Sequence, residues 1–210
     1  MKTLKLLACL TAALTLTLTA CRGPEMDPAA NLSPEARART VPIVRPFKLV
    51  PMEEPLVVEF DALPPGPNAS SWLSIGIWVK DSDGLEAVRA MDIIERSVVE
   101  AEVHLTRVDN GGEETVTLQR QRSVRAPGDW VEAVGKDGRT NKMGPFSVDS
   151  TALVAVGLIP ETEQIRALDF ASALNLMPGS YRLSIRLIDP PADLSAFDVD
   201  LLVAYKSRAK

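Results

Sequence analysis

Strict alternation marks the clearest stretches of the chain. In Tyr181-Arg182-Leu183-Ser184-Ile185-Arg186-Leu187 every second residue is apolar. Residues 98–108 repeat the pattern, with Val99, Ala101, Val103 and Leu105 set against Glu100, Glu102, His104 and Thr106. Successive side chains of an extended strand point to opposite faces, so these runs predict half-buried strands. Leu56, Val58 and Phe60 define another strand, and Phe197, Val199, Leu201, Val203 and Tyr205 the last one. Residues 72–79 place Leu73, Ile75, Ile77 and Val79 on one face and Trp72 and Trp78 on the other, which predicts a strand covered on both sides. Asp109-Asn110-Gly111-Gly112 predicts a hairpin turn, because Asn-Gly supplies positive φ, and residues 115–119 return the chain with Val116 and Leu118 inward. Residues 151–159 are apolar on both sides and predict a further strand.

A different period governs residues 85–96. Leu85, Val88 and Met91, with Ile94 after them, recur every three residues among good helix formers, which predicts a helix with Asp81, Ser82 or Asp83 as its cap. Residues 161–176 are ambiguous: Ile165, Leu168 and Ala171 permit a helical turn. Residues 119–145 are polar and carry four glycines, which fits an irregular loop or a ragged strand pair. The expected fold over residues 55–210 is mainly β. It is an antiparallel β-sandwich of about seven or eight strands, immunoglobulin-like in architecture, with one inserted short helix. The immunoglobulin cysteine pair is lacking, so the likeness concerns architecture alone.

The first residues carry another kind of pattern. Lys2 and Lys5 precede an apolar run from Leu6 to Leu18, too short for the ~20 residues of a spanning helix, so residues 1–20 read as a secretory signal. The run ends in Leu18-Thr19-Ala20-Cys21, which resembles the lipobox of bacterial lipoproteins. That resemblance implies a diacylglyceryl group on the Cys21 thiol, cleavage before Cys21 and acylation of the new amine. Arg22 stands where the sorting pattern places Asp for inner-membrane retention, which implies the outer membrane, periplasmic side, with the inner membrane as the alternative. Residues 21–54 follow as the lipidated Cys21 and a tether with six prolines, which favour extended backbone. Ser33-Pro34-Glu35 has the chemistry to start one short helical turn, and residues 41–47 turn apolar enough to pack as an edge segment.

Composition limits the chemistry. With 23 basic and 28 acidic residues the net charge is −5, and losing Lys2 and Lys5 with the signal makes it −7; a nucleic-acid binder needs a basic face instead. Of two cysteines, Cys9 leaves with the signal and Cys21 takes lipid, so no disulfide is expected. The lone histidine, His104, lies on the polar side of a strand, where an exposed surface role is expected. No Gly-x-Ser-x-Gly elbow occurs, and Gly135-Lys136-Asp137-Gly138-Arg139-Thr140 has a phosphate loop's residues in the wrong order. Asp81-Ser82-Asp83-Gly84 begins like a calcium loop but turns helical before the required glutamate. No catalytic residue, metal or cofactor is therefore expected.

Arg120, Arg122 and Arg125 form a basic cluster in an acidic chain, and Trp130 follows among glycines; these four are the candidate partner surface. Pro178-Gly179-Ser180-Tyr181-Arg182-Leu183 with the ending Ala204-Tyr205-Lys206 weakly resembles the carboxy-terminal half of periplasmic lipoprotein domains of the type VI immunity kind. The expected function is a protein-binding module held in membrane lipid through acylated Cys21, most simply one that neutralises another protein. The alternatives are a secretion or envelope scaffold and a cell-wall glycan enzyme using paired carboxylates.

Overall fold

The computed structural model describes residues 32–80, 84–109, 111–121, 131–161 and 165–208. Two antiparallel sheets face one another. The first follows the order β1 (Ile43–Phe47), β12 (Val199–Ser207), β3 (Ala69–Val79), β10 (Ala167–Leu174), β6 (Gln119–Gln121), β7 (Val131–Ala133), with β9 (Gly144–Phe146) also on β10. The second runs β2 (Leu56–Ala62), β11 (Gly179–Leu187), β4 (Ala101–Asp109), β5 (Gly112–Thr115), with β8 (Arg139–Thr140) also on β4. Strands of the described residues outnumber the expected seven or eight because residues 112–146 contribute five short ones.

The alternating runs became strands with the faces that periodicity assigns. Leu73, Ile75 and Ile77 of β3, Val103 and Leu105 of β4, Leu183 and Ile185 of β11, and Leu201 and Val203 of β12 are buried in one core between the sheets. At about 25 cal/mol per Å² of apolar surface, this burial is the main stabilising term of a chain for which no disulfide is expected. Phe60 and Tyr181 stack across β2 and β11 with centroids 5.8 Å apart.

Four points that the sequence left open or read otherwise have physical causes. Residues 151–159 are not a strand. Helix α3 (Ser150–Ala155) forms there, its N-terminus capped by Asp149, whose carboxylate accepts the Thr151 amide at 3.2 Å. It stops at Gly157, φ +74°, where the Gly157 amide donates to Val154 O and Leu158 to Leu153 O, the two bonds of a Schellman ending. Residues 161–176 hold the central strand β10 rather than a helical turn. Seven of its eight residues are buried, so no alternation shows. The return after the 109–112 turn is β5, four exposed residues; Val116 and Leu118 lie beyond it, where the chain crosses to the first sheet. In helix α2 (Gly84–Arg96) the core-facing row is Ala87, Ala90 and Ile94, whereas Leu85 and Val88 are 58% and 44% exposed.

The sandwich also reaches back past residue 55. Ser33 caps the short helix α1 (Pro34–Ala38), as its sequence suggests. The chain then bonds Asp61 on the edge of β2 through Arg39 O and the Val41 amide, and pairs β1 with β12 from Ile43↔Val203 to Phe47↔Val199. Residues 39–47 thus join both sheets at one side of the sandwich, as the edge packing expected of residues 41–47 requires, although they fall within the span 21–54 assigned to the tether.

The outer face of the first sheet is covered as well. Leu153 of α3 and Ile159 pack on Trp78, Ala167, Leu202 and Ala204, with Phe146, Val148 and Ile165 around them. This second layer explains Trp78 on the far face of β3. The outer face of the second sheet stays polar, with cross-strand ion pairs Arg182–Glu59, Arg182–Glu113 and Arg186–Glu102.

Candidate functional site

Arg120 lies on β6, where it pairs with Glu132 of β7 at 2.5 Å and donates to Asn141 Oδ1 at 2.7 Å. Its charge is committed within the molecule. Gln121 and Val131 are register partners, so residues 122–130 connect two neighbouring strands at the end of the first sheet. Arg122, Arg125 and Trp130 lie in that connection and, with Cys21 and the candidate caps Asp81, Ser82 and Asp83, outside the described residues.

His104 is half-buried on the outward face of β4 rather than fully exposed. Gly138, φ +70°, closes over its ring: a Cβ there would stand 2.6 Å from Cε1 and 2.7 Å from Nε2. The neighbouring Glu102 is held by Arg186 at 2.6 Å and Arg139 at 3.7 Å, and Glu100 by Arg139 at 3.3 Å. These glutamates are partners in a cross-strand network rather than simply solvated charges.

Two features were not legible in the sequence. The first is an apolar row that leads into a groove. Helical spacing puts Leu85, Val88 and Met91 on one side of α2, and Met91 also lines a groove of about 340 Å³ with Phe146, Val148, Ile165, Ser147 and Arg166. Their helical spacing was visible; that Leu85 and Val88 face outward while Met91 packs half-buried against the core was not.

The second is a buried polar cluster on the outer face of the first sheet. Asp169 of β10 is 4% exposed. Its Oδ2 accepts Ser172 Oγ at 2.8 Å and Ser74 Oγ at 3.1 Å, and lies 2.8 Å from Lys206 Nζ. The Lys206 ammonium also stands 5.8 Å from the Trp72 ring centroid and 5.7 Å from that of Phe146. Two strand irregularities build this cluster. The register of β10 on β3 shifts between Asp169 and Ala171, and that of β12 on β3 shifts between Tyr205 and Ser207, around Lys206. Bulges of this kind re-aim side chains. The first one needs Gly76, since a Cβ there would come within 2.1 Å of the Leu168 carbonyl oxygen. Asp169 and Lys206 are 37 residues apart on strands separated by β3, so no motif announces the pair.

Nearby, Tyr205 donates its hydroxyl to Leu63 O at 2.7 Å, and burial pushes its phenol up to about 12, with Tyr181 adding to the effect. Lys80 lies 3.2 Å from both Asp198 and Asp200; burial pulls its ammonium down, but the two carboxylates outweigh it and hold the group above its ordinary value.

No family model matches the chain, and no curated protein does. Among solved structures, the crystal structure of a protein from Sulfurospirillum deleyianum aligns at 12% identity with a TM-score of 0.40, over 80% of this chain and 98% of that one. A likeness of that size carries no argument about this chain.

Proposed function

We propose that this chain is a lipid-anchored periplasmic module that binds another protein, most simply one it neutralises, with a scaffold role in the envelope as the alternative. One observation carries the binding part of the reading: the exposed row of Leu85 and Val88 on α2, continued by Met91 into the groove beside Phe146. Large apolar side chains that remain outside a packed core form the kind of surface that protein partners cover. The Arg122, Arg125 and Trp130 segment is the second candidate contact, favoured by its residue types. The anchor rests on the lipobox-like ending at Cys21.

The test is affinity capture of the protein from its own cells, followed by mass spectrometry. Wild type is compared with Leu85→Asp/Val88→Asp and with Arg122→Glu/Arg125→Glu/Trp130→Ala. Enrichment of a toxin-like effector, lost in the α2 variant, supports neutralisation; enrichment of secretion-machine subunits supports the scaffold. Equal recovery from wild type and the α2 variant removes the α2 surface from the reading, and no specific partner at all rejects both roles.

A further inference from the structure

The cluster around Asp169 has the composition of a site for an organic cation. A carboxylate is nearly fully buried, and three donors converge on one of its oxygens: the hydroxyls of Ser74 and Ser172 and the ammonium of Lys206. Two aromatic rings, Trp72 and Phe146, stand at cation–π distance from the same ammonium. A carboxylate and aromatic rings that share one ammonium form an arrangement that recognises alkylammonium groups, because the rings attract the cation while the carboxylate neutralises it. The fold invests in this geometry through one register shift beside Asp169, one around Lys206, and a glycine at 76 that only the first shift requires.

The geometry points to an alkylammonium-binding site formed by Asp169, Trp72 and Phe146, with Lys206 as its resident occupant. Lys206 follows Tyr205 near the end of β12, and its side chain keeps 22% of its surface exposed. Four side-chain torsions join its ammonium to the backbone, so it can leave for solvent without moving a strand. Phe146 also lines the groove beside α2. A tethered occupant acts at a high effective concentration, and a free amine therefore competes poorly while Lys206 is present. The inference stands apart from the partner-binding reading, because small amines probe the site with no partner present.

The experiment removes the occupant. Lys206→Ala in the full chain deletes a propylammonium-sized piece, and n-propylammonium chloride is then titrated by calorimetry and by thermal unfolding, with n-propanol and sodium chloride as controls. Saturable binding to Lys206→Ala is expected, at least tenfold tighter than to wild type and lost in Lys206→Ala/Asp169→Asn. In the Lys206→Ala background, Trp72→Leu is expected to weaken tetramethylammonium binding several-fold. If Lys206→Ala does not fold alone, it is refolded with propylammonium or with propanol, and recovery in the amine only supports the site. An amine effect no larger than that of the controls, in either format, overturns it.

Discussion

Tyr205 shows how much a single residue's surroundings decide. Its position inward on an alternating strand was readable, but its phenol donates to Leu63 O across the sandwich, a contact between residues 142 apart in sequence. Burial raises its folded value to about 12 from an ordinary 10.0. A raised value means that the folded state holds the proton more tightly. The associated stability is complete below pH 10 and is lost as pH climbs from 10 toward 12, an expected loss of about 2 to 3 kcal/mol. Lys80 acts in the same direction above its ordinary 10.5, since its folded value is also raised. Urea unfolding at pH 9 and pH 11.5 measures the loss. Tyr205→Phe is expected to give up about 1 kcal/mol at pH 7 for the missing hydrogen bond and to flatten most of the alkaline slope. An unchanged slope in that variant would place the titration elsewhere. Glu102 makes the same point: alternation put it on the outward face, while only the register of β11 and β8 on β4 set Arg186 and Arg139 beside it.

Among elements, the helices were harder to read than the strands. The row Leu85, Val88, Met91, Ile94 has helical spacing, and so does Ala87, Ala90, Ile94; spacing alone does not choose between them. The sandwich seats α2 by its small residues, Ala87 and Ala90, which let the helix approach closely. Ile94→Ala is accordingly expected to cost about 2 to 5 kcal/mol in urea unfolding, whereas Leu85→Asp and Val88→Asp shift stability by less than about 0.5 kcal/mol each. The reverse ranking would assign the other row to the core. Helix α3 was concealed by its own apolar residues, Leu153, Val154 and Val156, which fit a strand equally well. Its start and stop signals were present in Asp149 and Gly157, and in so short an element they outweigh β-propensity. Strand β10 was concealed for the opposite reason: burial on both faces erased the alternation by which a strand is recognised.

On the scale of the whole molecule, residues 39–47, on the amino-terminal side of the strand at 56–62, are built into the domain. Residues 39–41 bond the edge of β2 and residues 43–47 pair with β12, so they cover edges that would otherwise offer free amides and carbonyls. If Cys21 is acylated as proposed, ten residues, 22–31, stand between it and the described domain, and ten residues span at most about 35 Å whatever their conformation. The sandwich would then stay close to the membrane. Cys21→Ser is expected to leave an uncleaved, unlipidated chain that loses acyl labelling and migrates above the mature form. Normal processing and acyl labelling of that variant would rule out the lipid anchor.

The sequence by itself determined the class of the fold and the faces of five strands, because the alternation of side chains along a strand is local and needs no partner strand to be read. It also carried the lipobox-like ending at Cys21, a motif read without any fold. Tertiary structure alone decided which row of α2 is outside, which strands of the two sheets residues 39–47 join, and that Lys206 reaches Asp169 beside Trp72 and Phe146. The reason is common to all three. Each depends on strand order, register shifts and covering layers that bring distant residues together, and no short window of sequence contains both partners.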